Sequence, residues 1–221
     1  EANALTACAP MTITITATGT ITLGSALPAL NHPNLTINGP GASSLTVSGA
    51  DLYRPFTINS GKTATIANLT ITNGKATGTG GGGLLNNGTL TLNNCVISNN
   101  TSTAQAGGIQ NSNTGTLTMT GCTVHNNSAP QGGGIQNDGS ATLTDCTASH
   151  GAVILACSID IKTKVGKRIM LRNWMHERID VIFLRNSLLI AKKITDEEEF
   201  AVVVVFLGER AGGFILPHIR E

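Results

Sequence analysis

One phrase of residues is written three times between Gly80 and Ser149, and that repetition limits the fold more than any other property of the chain. The copies read GGGGLLNNGTLTLNNCVISNN, AGGIQNSNTGTLTMTGCTVHNN and GGGIQNDGSATLTDCTASH. Leu90, Leu117 and Leu143 recur 27 and 26 residues apart, and Cys95, Cys122 and Cys146 recur 27 and 24 apart. Asn86, Asn111 and Asn137 recur 25 and 26 apart. A period of this length with no helical pattern inside it marks a repeat architecture.

Each copy reads as a short glycine-led strand, a turn, an alternating strand such as Thr116-Leu117-Thr118-Met119-Thr120, a corner, and a further strand opening at Cys122. Alternation at period two sends Leu117 and Met119 one way and the threonines the other. Strands this narrow cannot bury their own apolar faces, so successive copies must stack into a parallel β-solenoid of about 26 residues per coil. The repeats then predict structural ladders: Leu90, Leu117 and Leu143 on one inward line, Cys95, Cys122 and Cys146 on another, and Asn86, Asn111 and Asn137 as a stacked amide row at a turn.

The same residues resemble the right-handed parallel β-helix repeats of bacterial surface proteins. Those proteins include polymorphic outer-membrane and adhesin-like chains and share a pectate-lyase-like superfamily. Their repeats have the form GGGI-x-N, then G-T-L-T-L, then N/S-x-T-V-x-x-N. The likeness extends upstream through LTINGPGASSLTVSG (35–49), RPFTINSGKTATIANLTITNG (54–74) and GTITL (19–23), roughly two thirds of the chain. It implies an all-β right-handed parallel β-helix at a bacterial surface or secreted from the cell. It does not imply one activity, because the same coil carries adhesins, lyases, hydrolases and passive spacers.

The chain joins two different compositions. Residues 1–150 hold seven charged side chains, namely Glu1, Asp51, Arg54, Lys62, Lys75, Asp138 and Asp145, whereas 151–221 hold twenty. The first part is a polymer of Thr, Asn, Ser and Gly with β-branched punctuation, suited to stacked β-structure with hydroxyl ladders outside. The third repeat fails after Ser149, and Lys, Arg, Glu, Ile and Val replace Asn, Thr and Gly. We therefore expect a β-helix domain over 1–150 and an unrelated α+β tail over 151–221, either a cap, a separate small domain or a mis-joined end. Within it, Ala152–Ile161 reads as a strand, Ile169–Leu184 as an amphipathic helix or strand, and Phe200–Leu207 as a very apolar strand. The tail is expected not to continue the β-helix. A net charge of +1 gives no reason to expect nucleic acid as a partner. The longest apolar run is far short of a membrane span, and a start at Glu1 without a signal-like segment reads as a processed product or fragment.

Residues that could carry chemistry are few. Lyases and hydrolases on this fold gather carboxylates to bind calcium or to act as acid and base. The repeat region offers Asp51, Asp138 and Asp145, of which Asp138 sits in an Asn-Asp-Gly turn that accounts for it and Asp145 occupies the corner held by Asn94 and Gly121 in the other copies. The three cysteines read as an internal row of small apolar side chains; a bridge between neighbours and a metal are the alternatives, the latter without the paired short spacings of cysteine zinc sites. Threonines 91, 118 and 144 form an outward row of the kind that binds ice on some β-helices. His125 is expected to be exposed, and Trp174, His176, Glu177 and Arg178 show no catalytic spacing. The expectation is thus a non-catalytic structural or adhesive rod with no cofactor, meeting surface glycans or other proteins and open to end-to-end self-association. The rival is a fragment of a carbohydrate-active, glycan-binding or ice-binding β-helix.

Overall fold

The computed structural model describes residues 9–149 and, beyond them, the backbone of strands Ile154–Lys162, Arg168–Arg172, Arg178–Leu184, Leu188–Lys193 and Val202–Phe206. The chain winds through about five turns of parallel β-solenoid some 26 residues apart. Each turn contributes one strand to each of two principal sheets. In the first, Met11–Thr14, Asn34–Asn38, Thr63–Ala67, Thr89–Asn93, Thr116–Thr120 and the second half of Ile135–Thr144 pair in parallel. In the second, Gly19–Thr22, Leu45–Ser48, Thr70–Thr72, Val96–Ser98, Thr123–His125 and Thr147–Ser149 do the same. The short strand Phe56–Ile58 and the glycine-led strands Leu84–Asn86, Ile109–Asn111 and the first half of Ile135–Thr144 extend the first sheet ahead of its turn.

Period-two alternation explains why these segments stack. Inward positions form unbroken apolar lines: Phe56, Leu84, Ile109 and Ile135 on one, Ile37, Ile66, Leu92, Met119 and Leu143 on another, and Val47, Ile71, Ile97 and Val124 on a third. All of these are buried and belong to one continuous core. Each fully buried Leu or Ile contributes about 1.5–3 kcal/mol of transfer free energy, so every rung adds a comparable increment to the rod.

The corners are turned by residues in the left-handed region. Asn68, Asn94, Gly121 and Asp145 have φ of 59°, 50°, 63° and 53° between the two sheets, and Asn73, Asn99 and Asn126 repeat the conformation at the next corner with 49°, 55° and 54°. Asparagine and aspartate tolerate this region because a short polar side chain can bond locally. That is why the repeat writes Asn where a β-branched residue would be strained.

Two expectations are corrected. Leu143 does not stack on Leu117: Leu117 pairs with Ala141, and Leu143 pairs with Met119 and so continues the line of Leu92. The physical reference is the corner, since the strand is held at a fixed distance from the following cysteine, whereas the turn after Asn111 is two residues longer than those after Asn86 and Asn137. Likewise Thr144 pairs with Thr120, and Thr142 is the partner of Thr118.

The strand Ile154–Lys162 pairs in parallel along both halves of Ile135–Thr144, with Ile154 opposite Ile135, Ile159 opposite Ala141 and Ile161 opposite Leu143. The tail thus adds a strand to the first sheet, against the expectation that it would not continue it, its Ile154, Ile159 and Ile161 taking the register positions of Ile135, Ala141 and Leu143. Arg168–Arg172, Arg178–Leu184, Leu188–Lys193 and Val202–Phe206 follow as an antiparallel meander. Where Ile169–Leu184 reads as helix or strand, the described backbone is two strands.

Candidate functional site

The interior of the last coils carries rows of polar side chains as well as apolar ones. Asn86 Nδ2 donates to Asn111 Oδ1 at 2.7 Å, and Asn111 Nδ2 donates to Asn137 Oδ1 at 2.5 Å. The row also serves the backbone: Asn86 reaches Thr116 O at 3.1 Å and Asn111 reaches Ser140 O at 3.0 Å. The row takes over from Ile58, which holds the register position of Asn86 one coil earlier. Because buried amides cost free energy unless paired, each supports its neighbour only while the register is kept.

A second amide row, not singled out in the sequence, joins Asn100 and Asn127. Asn100 Nδ2 donates to Asn127 Oδ1 at 2.9 Å and to Ile71 O at 3.1 Å, and Asn127 Nδ2 donates to Ile97 O at 2.9 Å. Asn100 Oδ1 accepts the Gly74 N–H at 2.7 Å. The signal was the Asn-Asn pair at Asn99-Asn100 and Asn126-Asn127, of which the first member turns the corner and the second points inward.

The cysteines stand at the inward corner position just ahead of the second sheet, where Leu45 and Leu69 stand in earlier coils. Cys95, Cys122 and Cys146 are free and buried. Cys95 Sγ donates to Ile66 O and Cys122 Sγ to Leu92 O, both at 3.4 Å. The thiols also bond one another. Donation from Cys122 lowers the Cys95 pKa against the opposing effect of burial. Cys122 is lowered by the bond from Cys146, but its own donation to Cys95, burial and repulsion from a Cys95 thiolate outweigh this and push it up to about 12. Cys146 is raised, first because it donates to Cys122 and then by burial. Cys122 and Cys146 are thereby held in the protonated form at neutral pH, unlike the exposed thiolates that act as nucleophiles. Among the described residues no group of three or more His, Cys, Asp or Glu side chains is arranged to hold a metal ion.

The outer surface of the first sheet is a lattice. Thr12, Thr36, Thr65, Thr91, Thr118 and Thr142 lie in one register column. Thr63, Thr89, Thr116 and Ser140 form the column beside it. Neighbouring coils are about 4.8 Å apart, and columns two residues apart along the strand are separated by about 6.6 Å.

Asp138 does more than turn the chain. Its carboxylate accepts Gln110 Nε2 at 2.7 Å and Gln136 Nε2 at 3.1 Å, so it spans two coils. Both glutamines are buried on the outward side of their strands, and their Oε1 atoms lack a partner. Gly80 makes room for the first of them, since a Cβ there would lie 2.0 Å from Gln110 Oε1. Arg54 pins the same loop, donating to Gly81 O at 2.6 Å, Thr79 Oγ1 at 2.7 Å and Gly80 O at 2.8 Å, and burial lowers its pKa. Asp145 lies past the far end of strand Ser140–Thr144, whose five residues alone span about 16 Å. The paired carboxylates of glycosidases sit about 5–9.5 Å apart, so Asp138 and Asp145 do not form such a pair. Asp51 belongs to an earlier coil, at a positive-φ turn, and His125 is half-buried beside Ser98 and Ser149 in the second sheet.

No curated protein and no solved structure gives a significant match to the chain. A family model described as a right-handed beta helix region matches residues 34–172, a span that runs through the coils and on past residue 150. With that match covering more than half of its length, and with its parallel coils in register, the chain belongs to the right-handed β-helix family.

Proposed function

We propose that the coils form a non-catalytic rod, structural or adhesive, at a bacterial surface or in the secreted fraction, meeting surface glycans or other proteins. The observation that supports this most is where the polar groups point. The buried asparagines and thiols are bonded to one another and to backbone carbonyls of adjacent coils, while Asp138 is engaged by two glutamine amides. Side chains so occupied hold coils in register and are not poised to move protons. On this reading the divide near residue 150 separates the rod from a tail that caps it, with Ile154–Lys162 covering the edge of Ile135–Thr144. Incubation with pectic and other acidic polysaccharides plus calcium is expected to give no unsaturated or reducing-end products. Turnover abolished by Asp138→Ala or Asp145→Ala would overturn the reading.

The threonine lattice favours a second reading, in which the rod binds a flat, ordered glycan or ice through Thr65, Thr91 and Thr118. A column of methyl and hydroxyl groups at fixed spacing presents a repeating template at little entropic cost. Retention on an insoluble polysaccharide, or inhibition of ice recrystallisation, lost in Thr91→Lys/Thr118→Lys would support it, and the absence of both effects in the unmodified chain would dismiss it.

A further inference from the structure

Cys95, Cys122 and Cys146 follow one another directly along the rod. Thr123 N–H donates to Cys95 O at 2.9 Å and Thr147 N–H to Cys122 O at 2.8 Å, the bond that Val96 N–H makes to Leu69 O one coil earlier. The residues after the three cysteines, Val96, Thr123 and Thr147, are register partners in the second sheet. Each cysteine is 2% exposed or less, yet it stands one residue behind a corner, and at Asn94 and Gly121 that corner is exposed. Leu69 fills the same position, equally buried, with a side chain that has no such chemistry.

Spacing decides which thiols can join. Stacked strands stand about 4.8 Å apart, within the roughly 4.4–6.8 Å between Cα atoms that a disulfide spans. Cys95 and Cys146 are two coils apart, about 9.6 Å on the same spacing, beyond the ~7 Å at which a bridge fails. Cys122 alone has a neighbour on each side. Every disulfide within the row therefore contains Cys122, and the row holds one disulfide and one thiol.

We infer that the row is an oxidative modification site, at which a peroxide closes one disulfide between Cys122 and an adjacent coil and the bond then passes between Cys95 and Cys146. Cys95 starts the reaction, because the hydrogen bond from Cys122 favours its thiolate. Its sulfur takes one oxygen from the peroxide and becomes a sulfenic acid, releasing hydroxide that takes up the proton Cys95 had lost. Cys122 then gives its proton to the sulfenic hydroxyl, which leaves as water while the bond between the two sulfurs forms. Two thiols lose two electrons in all, and one peroxide becomes two waters. Cys146 now stands across Cys122 from the bonded sulfur, in line for thiol–disulfide exchange. It loses its proton and attacks Cys122, and Cys95 leaves as the thiolate and takes a proton up. Either bond ties successive coils covalently around a loop of 27 or 24 residues, and so resists their separation.

The test uses the full 221-residue chain carrying Cys8→Ser and Cys157→Ser, so that only the row responds. It is treated with hydrogen peroxide while folded and read by mass spectrometry. Cleavage after Met119 and before Asp138 places the three cysteines on separate peptides. One disulfide and one free thiol per chain are expected, with Cys122 always in the bond, and a thermal midpoint that rises on oxidation and returns with dithiothreitol. Cys146→Ala should still give Cys95–Cys122, and Cys95→Ala should give Cys122–Cys146 several-fold more slowly. Cys122→Ala, and Cys122→Leu with the side chain that Leu69 has, should form no disulfide and leave Cys95 as a sulfenic acid that dimedone traps. Circular dichroism checks that the coils persist in each variant. A row that stays fully reduced in the folded chain overturns the inference. So does a bond joining Cys95 to Cys146 in a folded chain, and so does formation in Cys95→Ala at the unaltered rate, which would place the first oxidation elsewhere.

Discussion

Asn100 reaches across to Asn127 at 2.9 Å while accepting the Gly74 N–H at 2.7 Å, so a single buried side chain ties three consecutive coils. Removing it strands partners on either side. Asn100→Ala leaves the Gly74 N–H and the Ile71 carbonyl without their bonds, and each buried orphan costs about 1–3 kcal/mol. We expect Asn100→Ala to lower unfolding stability by about 2–4 kcal/mol, read as a reduced urea midpoint at unchanged m-value. A change below about 0.5 kcal/mol would mean that water replaces the amide.

The glycines of the repeat separate into two kinds, and substitution by alanine distinguishes them. A Cβ at Gly74 would lie 2.3 Å from Gly82 O and 2.8 Å from Pro55 Cδ, in the next coil and its own, whereas a Cβ at Gly24 meets nothing within 4 Å. Gly74→Ala must push coils apart and is expected to cost about 3 kcal/mol or more, while Gly24→Ala stays within about 0.5 kcal/mol of neutral. Thermal melts of the two variants side by side check this, and equal midpoints would contradict the coil spacing.

The thiol row predicts a dependence of stability on alkaline pH. Cys122 is raised to about 12 in the folded chain, against an ordinary value near ~8.5 when unfolded. A raised folded pKa contributes stability that is whole below the unfolded value and disappears as pH climbs through the folded one. Stability should therefore fall between about pH 8.5 and 12, and Cys122→Ala should flatten that decline relative to the unmodified chain. In the native state, Cys122 and Cys146 should also resist alkylation at pH values where the unfolded chain reacts at once.

Asp138 offers a test of structural against catalytic duty. With its carboxylate removed, Gln110 and Gln136 lose the acceptor for their amide groups. Asp138→Ala should thus destabilise the last coils by about 1–3 kcal/mol. Asp138→Asn, which keeps one carbonyl acceptor, should recover part of that loss. Hydrogen exchange localised to Ile135–Thr144 reads the effect, and identical exchange in all three chains would show that the glutamines find other partners.

Much of the rod was legible because its instructions are local and repeated: alternation assigns faces, and Asn or Gly at a corner signals left-handed backbone. What escaped depended on counting from the right landmark. Aligning the copies by their asparagines puts Leu143 under Leu117, whereas aligning by Cys122 and Cys146 puts it under Met119 as found. The difference comes from a turn whose length the sheets do not constrain. The link from Gln110 to Asp138 escaped for another reason. It joins residues 28 apart on successive coils, and neither residue type announces such a partner. The strand Ile154–Lys162 was hidden by composition, since the loss of Asn and Thr masked an apolar alternation that still matches the sheet.

The variable turn after Asn111 has a broader consequence. Each coil closes a loop of about the same length upon its predecessor, so the entropic cost of adding a coil hardly changes with the number already present. Among the described residues, nothing couples the first coil to the last except the coils between them. A lineage could therefore shorten or lengthen this molecule by whole coils, and insert residues at will in the turns, without revising any contact already made. A single residue gained inside Thr89–Asn93 or Thr116–Thr120, by contrast, would invert every side chain after it and end the stack there. Evolution of such a chain should proceed by duplication and loss of whole coils, with length the most freely changed of its properties.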